Sequence, residues 1–177
     1  MKKNKIAFLD RDGVVNSKNY NSGYVGFLKH FKWISGSKKA IKLLKEKNYK
    51  VVIISNQSGV ARGFFKTKDV HNIFLHIQKK LKLINTNIDK YFFCPYHQDG
   101  IIKRYKKKSN MRKPNIGMYR LVEKKWKVDK KNSFVIGDQK TDIEFAERAG
   151  LKGYLFKGGS LLKFTKRILK NNKIDIN

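Results

Sequence analysis

Cysteine is almost missing. The chain of 177 residues has one, Cys94, so it forms no internal disulfide and suits a reducing compartment. Long apolar runs are missing as well: no stretch approaches the roughly 20 apolar residues of a membrane span. The apolar patch within MKKNKIAFLD is too short for a signal-peptide core and runs directly into charge, which predicts a cytoplasmic protein. Repeats, low-complexity linkers and domain boundaries are absent too. One domain over 1–177 is therefore expected, with 171–177 a loose tail. Acidic residues are scarce, 13 against 42 basic ones, for a formal net charge of +29. Such an excess raises a polyanion-binding function, nucleic acid included, as a rival class. Lysine occurs in nearly every segment, however, and no RNA- or DNA-binding motif stands among the lysines. The excess reads as the composition of solvated faces, with one dense cluster spanning Lys103, Arg104, Lys106–Lys108, Arg112 and Lys113.

What is present is an alternation of short apolar runs and helical periods. Residues 5–10 (KIAFLD), 50–55 (KVVIIS), 89–93 (DKYFF), 133–137 (SFVIG) and 153–156 (GYLF) read as five strands. Continuous apolar strands suit a sheet covered on both faces. Helices are expected over 37–48 with Ser37 as cap, and over 67–84 starting at Thr67. The second carries Val70, Ile73, Phe74, Ile77, Leu81 and Ile84 on one face. Further helices fall at 115–127, at 139–149 before Gly150, and at 160–170. Alternating elements of this kind predict an α/β, three-layer Rossmann-like fold with a mainly parallel sheet.

Ligands of open α/β sheets bind at the carboxyl ends of the strands. Four of the chain's 13 acids stand there. Asp10, Arg11, Asp12 and Gly13 follow the first strand; Ser55, Asn56, Gln57, Ser58 and Gly59 end the second. Cys94 and a basic loop ending in Arg112, Lys113 and Pro114 follow the third, and Asp138 with Asp142 follows the fourth. Carboxylates, hydroxyls, amides and a lysine on one edge suit a phosphate bound beside a hard cation, which takes one or two carboxylates plus phosphate oxygens. Asp10 and Asp138 are placed to share one Mg²⁺. One aspartate can attack a phosphorus atom while Asp12, two residues on, manages the leaving-group proton. Ser55 and Lys113 would hold phosphoryl oxygens.

These segments resemble the four motifs of the haloacid dehalogenase (HAD) superfamily. FLDRDGVVN matches the first, IISNQSG the second, RKPNIGM the third and VIGDQKTD the fourth, in order over roughly residues 5–156. Together with SNQSGVARGFF and FFCPYH, they are similar to the heptose-bisphosphate 7-phosphatase and histidinol-phosphate phosphatase group, whose members lack a separate cap domain. The resemblance implies a Mg²⁺-dependent phosphomonoesterase with Asp10 as nucleophile and Asp12 as general acid/base. It implies metal contacts from Asp10, Asp138 and the carbonyl of Asp12. Ser55, Asn56, Arg112 and Lys113 would touch phosphate or sugar, with Asn16 and Arg62 nearby. The implied substrate is a small phosphorylated sugar, foremost D-glycero-D-manno-heptose 1,7-bisphosphate. Histidinol phosphate or another small ester is the alternative. No membrane and no nucleic-acid partner is expected, and the chain is expected to be a monomer.

One departure concerns zinc. The family commonly binds a structural zinc through Cys-x-His and a later Cys-x-Cys. Here Cys94 is in place, but Tyr96, Ser109 and Met111 occupy the other three positions, and His97 is one residue off register. One ligand of four predicts no structural zinc. Asp142 reads as a helix N-terminal charge or a supporting group. His30, His71 and His76 show no partner pattern. Trp33, Trp126 and the Phe64–Phe65 pair read as core or local packing.

Overall fold

The computed structural model describes residues 3–19 and 23–174. Five parallel strands, β1 (Ile6–Leu9), β2 (Lys50–Asn56), β3 (Lys90–Cys94), β4 (Phe134–Gly137) and β5 (Lys152–Leu155), form one sheet in the order β3-β2-β1-β4-β5. Five α-helices connect or follow them: α1 (Ser37–Glu46), α2 (Thr67–Lys82), α3 (Gly117–Lys125), α4 (Lys140–Ala149) and α5 (Leu161–Ile174).

Strand alternation divides the core into two layers. Ala7 and Leu9 of β1 pack with Ile41 and Leu44 of α1, Ile73 and Phe74 of α2, and Leu161 of α5. Ile6 and Phe8 turn to the opposite face, against Met118, Tyr119 and Val122 of α3 and Phe145 of α4. The central strand is wholly buried, as its unbroken apolar run demands. Chain order proceeds outward from β1 to β3 on one side, then returns to β4 on the other. The direction reverses at β1, and the carboxyl ends of β1 and β4 flank the crevice where such sheets bind ligands.

Some boundaries differ from the sequence expectation. Gly36, at φ 74°, precedes α1, and the Ser37 hydroxyl donates to the Ile34 carbonyl at 2.9 Å, so Ser37 is the first helical residue and not a side-chain cap. Helix α2 is closed by Asp69, whose carboxylate accepts the Lys66 amide at 2.8 Å. Helix α5 continues to Ile174, past the expected 170; the end of the expected tail, 175–177, lies outside the described residues. No described helix is long and apolar enough to cross a membrane.

Candidate active site

The turn after β1 carries Asp10 at the edge of the core. Its amide donates to Ile136 of β4 at 2.9 Å, which fixes the carboxylate between the ends of β1 and β4. Asp138 leaves β4 one residue beyond Gly137. One carboxylate oxygen from each of Asp10, Asp138 and Asp142 lies within 4.8 Å of the others, the one such group of His, Cys, Asp or Glu side chains among the described residues. Two glycines allow this crowding. A Cβ on Gly13, at φ 99°, would stand 2.4 Å from Asp138 Oδ2, and one on Gly137 would stand 2.1 Å from Asp142 Cβ.

Lys113 neutralises much of the cluster. It arrives from the loop after β3, 3 % exposed, and its Nζ donates to Asp10 Oδ1 at 2.6 Å and to the Ile54 carbonyl at 3.0 Å. The same ammonium lies 2.6 Å from Asp142 Oδ1. Burial opposes its charge, but the two carboxylates outweigh that and raise its proton affinity. Asp10 behaves in the opposite way. Burial is the largest influence and pushes its carboxyl up; Lys113 pulls it down, while Asp142 and Asp12 push it further up, to about 7. A second lysine, Lys18, pairs with Asp138 Oδ2, which also accepts from Gln139 Nε2 at 3.1 Å.

Asp12 stands close enough for its charge to act on Asp10. Its carboxylate is outside the three-acid group and accepts from Arg11 Nη2 (2.8 Å), Asn16 Nδ2 (2.8 Å) and Gln57 Nε2 (2.7 Å). Arg11 is fully buried, and its Nη2 also donates to the Val25 carbonyl at 2.5 Å and to Gln57 Oε1 at 3.2 Å. Gln57 in turn donates to Ser55 Oγ at 2.8 Å. One network thus links the first and second strand-end turns and holds Asp12 through three side chains.

The structure brings Asp10, Asp138 and Lys113 together; Ser55, 1 % exposed near the end of β2, accepts from Gln57. It uses two other expected contacts differently. Asn16 is fully buried behind Asp12, with its amide spent on Asp12 and the Ser17 carbonyl. Asn56 clamps the backbone of Lys113 from both sides, its Nδ2 donating to the carbonyl at 3.1 Å and its Oδ1 accepting the amide at 3.0 Å. Both position other groups. Arg62 and Arg112 are half-buried; Nε of the first and Nη1 of the second are buried without hydrogen-bond partners. Burial lowers the proton affinity of Arg112, and the nearby charge of Arg62 adds to that. Two guanidinium groups so placed suit an anion between them.

Sequence reasoning placed Arg11 and Gln57 at strand ends without a role, passed over Lys18 and undervalued Asp142. Arg11 had one available signal, a charged residue sandwiched between two aspartates at the end of a buried strand. Phe64 also differs from its neighbour: Phe65 is buried, whereas Phe64 is 56 % exposed and packs only locally, on Tyr24.

The donor set fits a hard divalent cation. Asp138 Oδ1 is buried with no hydrogen-bond partner, and all three nearby ligand atoms are carboxylate oxygens. Around Cys94 the residues do not fit zinc: the thiol, buried, donates weakly to the Tyr96 carbonyl at 3.8 Å, and no second cysteine exists.

Comparison with known proteins agrees with this geometry. The family model described as polynucleotide kinase 3 phosphatase matches residues 5–155. A D-glycero-beta-D-manno-heptose-1,7-bisphosphate 7-phosphatase of Rhodopseudomonas palustris is 42 % identical over 163 residues, covering 92 % of this chain and 89 % of the relative. A D-glycero-alpha-D-manno-heptose-1,7-bisphosphate 7-phosphatase of Photorhabdus laumondii is 37 % identical, covering 88 % and 84 %. Among solved structures, a D,D-heptose 1,7-bisphosphate phosphatase from B. bronchiseptica, complexed with magnesium and phosphate, superimposes with a TM-score of 0.80. It is 28 % identical, over 94 % of this chain and 99 % of that one.

Proposed function

Since the chain belongs to the polynucleotide kinase 3 phosphatase family of HAD-type phosphatases, we propose that it removes the 7-phosphate of a D-glycero-D-manno-heptose 1,7-bisphosphate. The observation that carries this reading is the meeting of Asp10, Asp138 and buried Lys113 at the reversal point of the sheet. The substrate is carried over from relatives of 37–42 % identity that bear that activity in their names.

Asp10 supplies the nucleophile. One of its carboxylate oxygens attacks phosphorus in line with the ester oxygen, the phosphorus–ester bond breaks, and its electron pair leaves with the sugar oxygen. Asp12 delivers a proton to that oxygen, and the carboxyl group of Asp10 is left phosphorylated. Water then attacks the same phosphorus, Asp12 takes a proton from it, and the Asp10–phosphorus bond breaks to release inorganic phosphate. Lys113 stabilises charge on the transferring oxygens from its position against Asp10. Ser55, Arg112 and Arg62 contact phosphoryl or sugar oxygens. A Mg²⁺ held by Asp10, Asp138 and the Asp12 carbonyl would neutralise the charge of carboxylate and phosphate together. Asn16, Asn56, Arg11 and Gln57 position these groups. The loop after Cys94 holds no structural zinc, and the enzyme is a cytoplasmic monomer.

The test is turnover of purified sugar phosphates with and without Mg²⁺. Wild type should release phosphate from the bisphosphate only with Mg²⁺, and Asp10→Asn should lose at least 10³-fold in kcat while its circular dichroism stays native. Undiminished turnover in that variant refutes the nucleophile assignment. A clear preference for histidinol phosphate moves the substrate to the alternative.

A further inference from the structure

Beyond the carboxyl rim of the sheet, three stretches of chain build a surface that takes no part in the chemistry above. They are residues 24–32 ahead of α1, residues 60–68 leading into the first turn of α2, and residues 100–108 after β3. Contacts tie the three together. Ile101 and Ile102 both donate to the Ala61 carbonyl, at 2.8 and 2.9 Å. Gly63 turns at φ 76°, and a Cβ there would stand 3.3 Å from Ile101 Cδ1 and 3.4 Å from Ile102 Cδ1. Phe65 is the anchor. Its ring is wedged between two glycines: a Cβ on Gly26 would stand 2.1 Å from it, and one on Gly59 2.3 Å. Phe27 meets that ring edge-on, with centroids 6.4 Å apart. With Phe65 held inward, Phe64 is turned out and leans on Tyr24 at 5.2 Å.

Apolar side chains gather on this surface. Of the eight large hydrophobic residues exposed among the described residues, five come from these stretches: Phe27, Leu28, Phe64, Ile101 and Ile102. Ile101 is the barest of the eight, at 75 %. Two hollows, of about 340 and 400 Å³, share Phe65, and no carboxylate lines either. The charge around them has one sign. The three stretches hold nine exposed lysines and arginines and no aspartate or glutamate. The acids that flank them are Asp69, which caps α2 through the Lys66 amide, and Asp99, which lies 3.5 Å from His97.

Apolar tips among cations fit an occupant that is apolar within and anionic at its face. A second copy of the chain does not fit, because pairing this face with itself sets nine cations against nine. Single-stranded nucleic acid needs open ring faces to stack on. Here the Phe64 and Phe27 rings are engaged with Tyr24 and Phe65, and the most exposed tip, Ile101, is aliphatic. We propose that this face docks on an anionic lipid bilayer, with Phe27, Phe64 and Ile101 entering just below the headgroups and the lysines on the lipid phosphates. The contact is peripheral, since no described helix is long and apolar enough to cross a membrane. It departs from the sequence expectation of no membrane partner, which rested on the lack of a spanning run. It does not depend on which ester the active site takes.

Cosedimentation of the full chain with extruded vesicles tests it, at about 0.15 M salt, where charge is screened beyond about 8 Å. Vesicles of phosphatidylcholine alone are compared with vesicles that carry about 30 % phosphatidylglycerol, whose surface charge attracts lysines. Wild type should partition onto the anionic vesicles at least about tenfold more strongly than onto the neutral ones. Phe64→Ser combined with Ile101→Ser leaves the charge unchanged and should weaken that partition about tenfold. Leu75→Ser combined with Leu83→Ser removes two comparably exposed leucines of α2 and its C-terminal end, and should leave the partition as it is. Ile101→Ser alone should weaken it about threefold, and keeps the test decisive if the double variant fails to fold. No partition onto anionic vesicles overturns the proposal. Binding that the Phe64 and Ile101 changes leave untouched overturns it too, because lysines alone then hold the lipid. Equal losses in the two double variants do the same. The other occupants have readouts of their own. A single-stranded oligonucleotide whose binding weakens in the Phe64 and Ile101 variant, while vesicle binding does not, gives the face to nucleic acid. A dimer in sedimentation equilibrium that this variant dissolves gives it to a second copy. Either result overturns the lipid assignment.

Discussion

Asp10 carries two demands that conflict. To act as the proposed nucleophile it must be ionised, yet burial and two neighbouring carboxylates hold its proton up to a pH of about 7 against the pull of Lys113. In the unfolded chain the same group ionises near 3.8. Between those values the folded, metal-free protein keeps a proton that the unfolded chain has lost, so Asp10 destabilises the fold progressively as pH rises from about 4 to about 7. Denaturation midpoints in chelator at pH 4.5, 5.5 and 7.0 should therefore fall more steeply for wild type than for Asp10→Asn, which has no such proton. Added Mg²⁺ should raise the wild-type midpoint most at pH 7.0. Parallel pH profiles for the two proteins would contradict the assignment. Lys113 meets a different constraint. With Asp10 on one side and Asp142 on the other, its removal would leave two carboxylates buried without a counter-charge, at a cost of about 3–5 kcal/mol.

At the scale of elements, the strands were legible because each is a short apolar run at the carboxyl end of which a polar group appears. Helix interiors were legible from their three- and four-residue spacing, as in α2. Their ends were less so. Ser37 has a good capping side chain but turns it backward to Ile34, a choice set by the left-handed Gly36 before it. In the site, Asp10, Asp138 and Lys113 could be placed from motif spacing alone, since each sits directly at a strand end or in a recognisable run. Arg11, Lys18 and Asp142 could not, because their roles depend on partners from other elements: Val25 and Gln57 for Arg11, Asp138 for Lys18, Lys113 for Asp142. The loop after β3 has protein contacts of its own to order it. Ile101 and Ile102 both donate to the Ala61 carbonyl, at 2.8 and 2.9 Å, and His97 donates to Tyr105 at 3.2 Å. Tyr96 and Tyr105 pack at 5.9 Å, with Lys107 over the Tyr96 ring at 4.5 Å. Prolonged chelation should then leave tryptic cleavage at Lys103–Lys108 at its original rate, while Tyr96→Ala should accelerate it severalfold. Faster cleavage after chelation, reversed by zinc, would overturn the metal-free account of this loop.

At the scale of the molecule, the excess of positive charge is an unfavourable field that the compact state must tolerate. With a net charge of +29 on 177 residues, folding brings like charges together, and salt should relieve this. Between 10 and 100 mM salt the screening length falls from about 30 to about 10 Å. Thermal midpoints should rise by several degrees over that range, at about 2–4 °C for each kcal/mol gained. A midpoint independent of salt would show that the lysines are already balanced by local pairing. The same field draws multiply charged esters toward the rim, so catalytic efficiency on a bisphosphate should fall with salt more steeply than on a monophosphate.

The separation of the reacting groups along the chain has one more effect. Lys113 reaches Asp10 across 103 positions, and Asp138 lies further on still. A nascent polypeptide leaving the ribosome therefore presents Asp10 at a lead of 103 residues over the lysine that balances it. Premature termination products would be chemically inert, and regain of hydrolysis after dilution from denaturant would time the docking of β4 against β1.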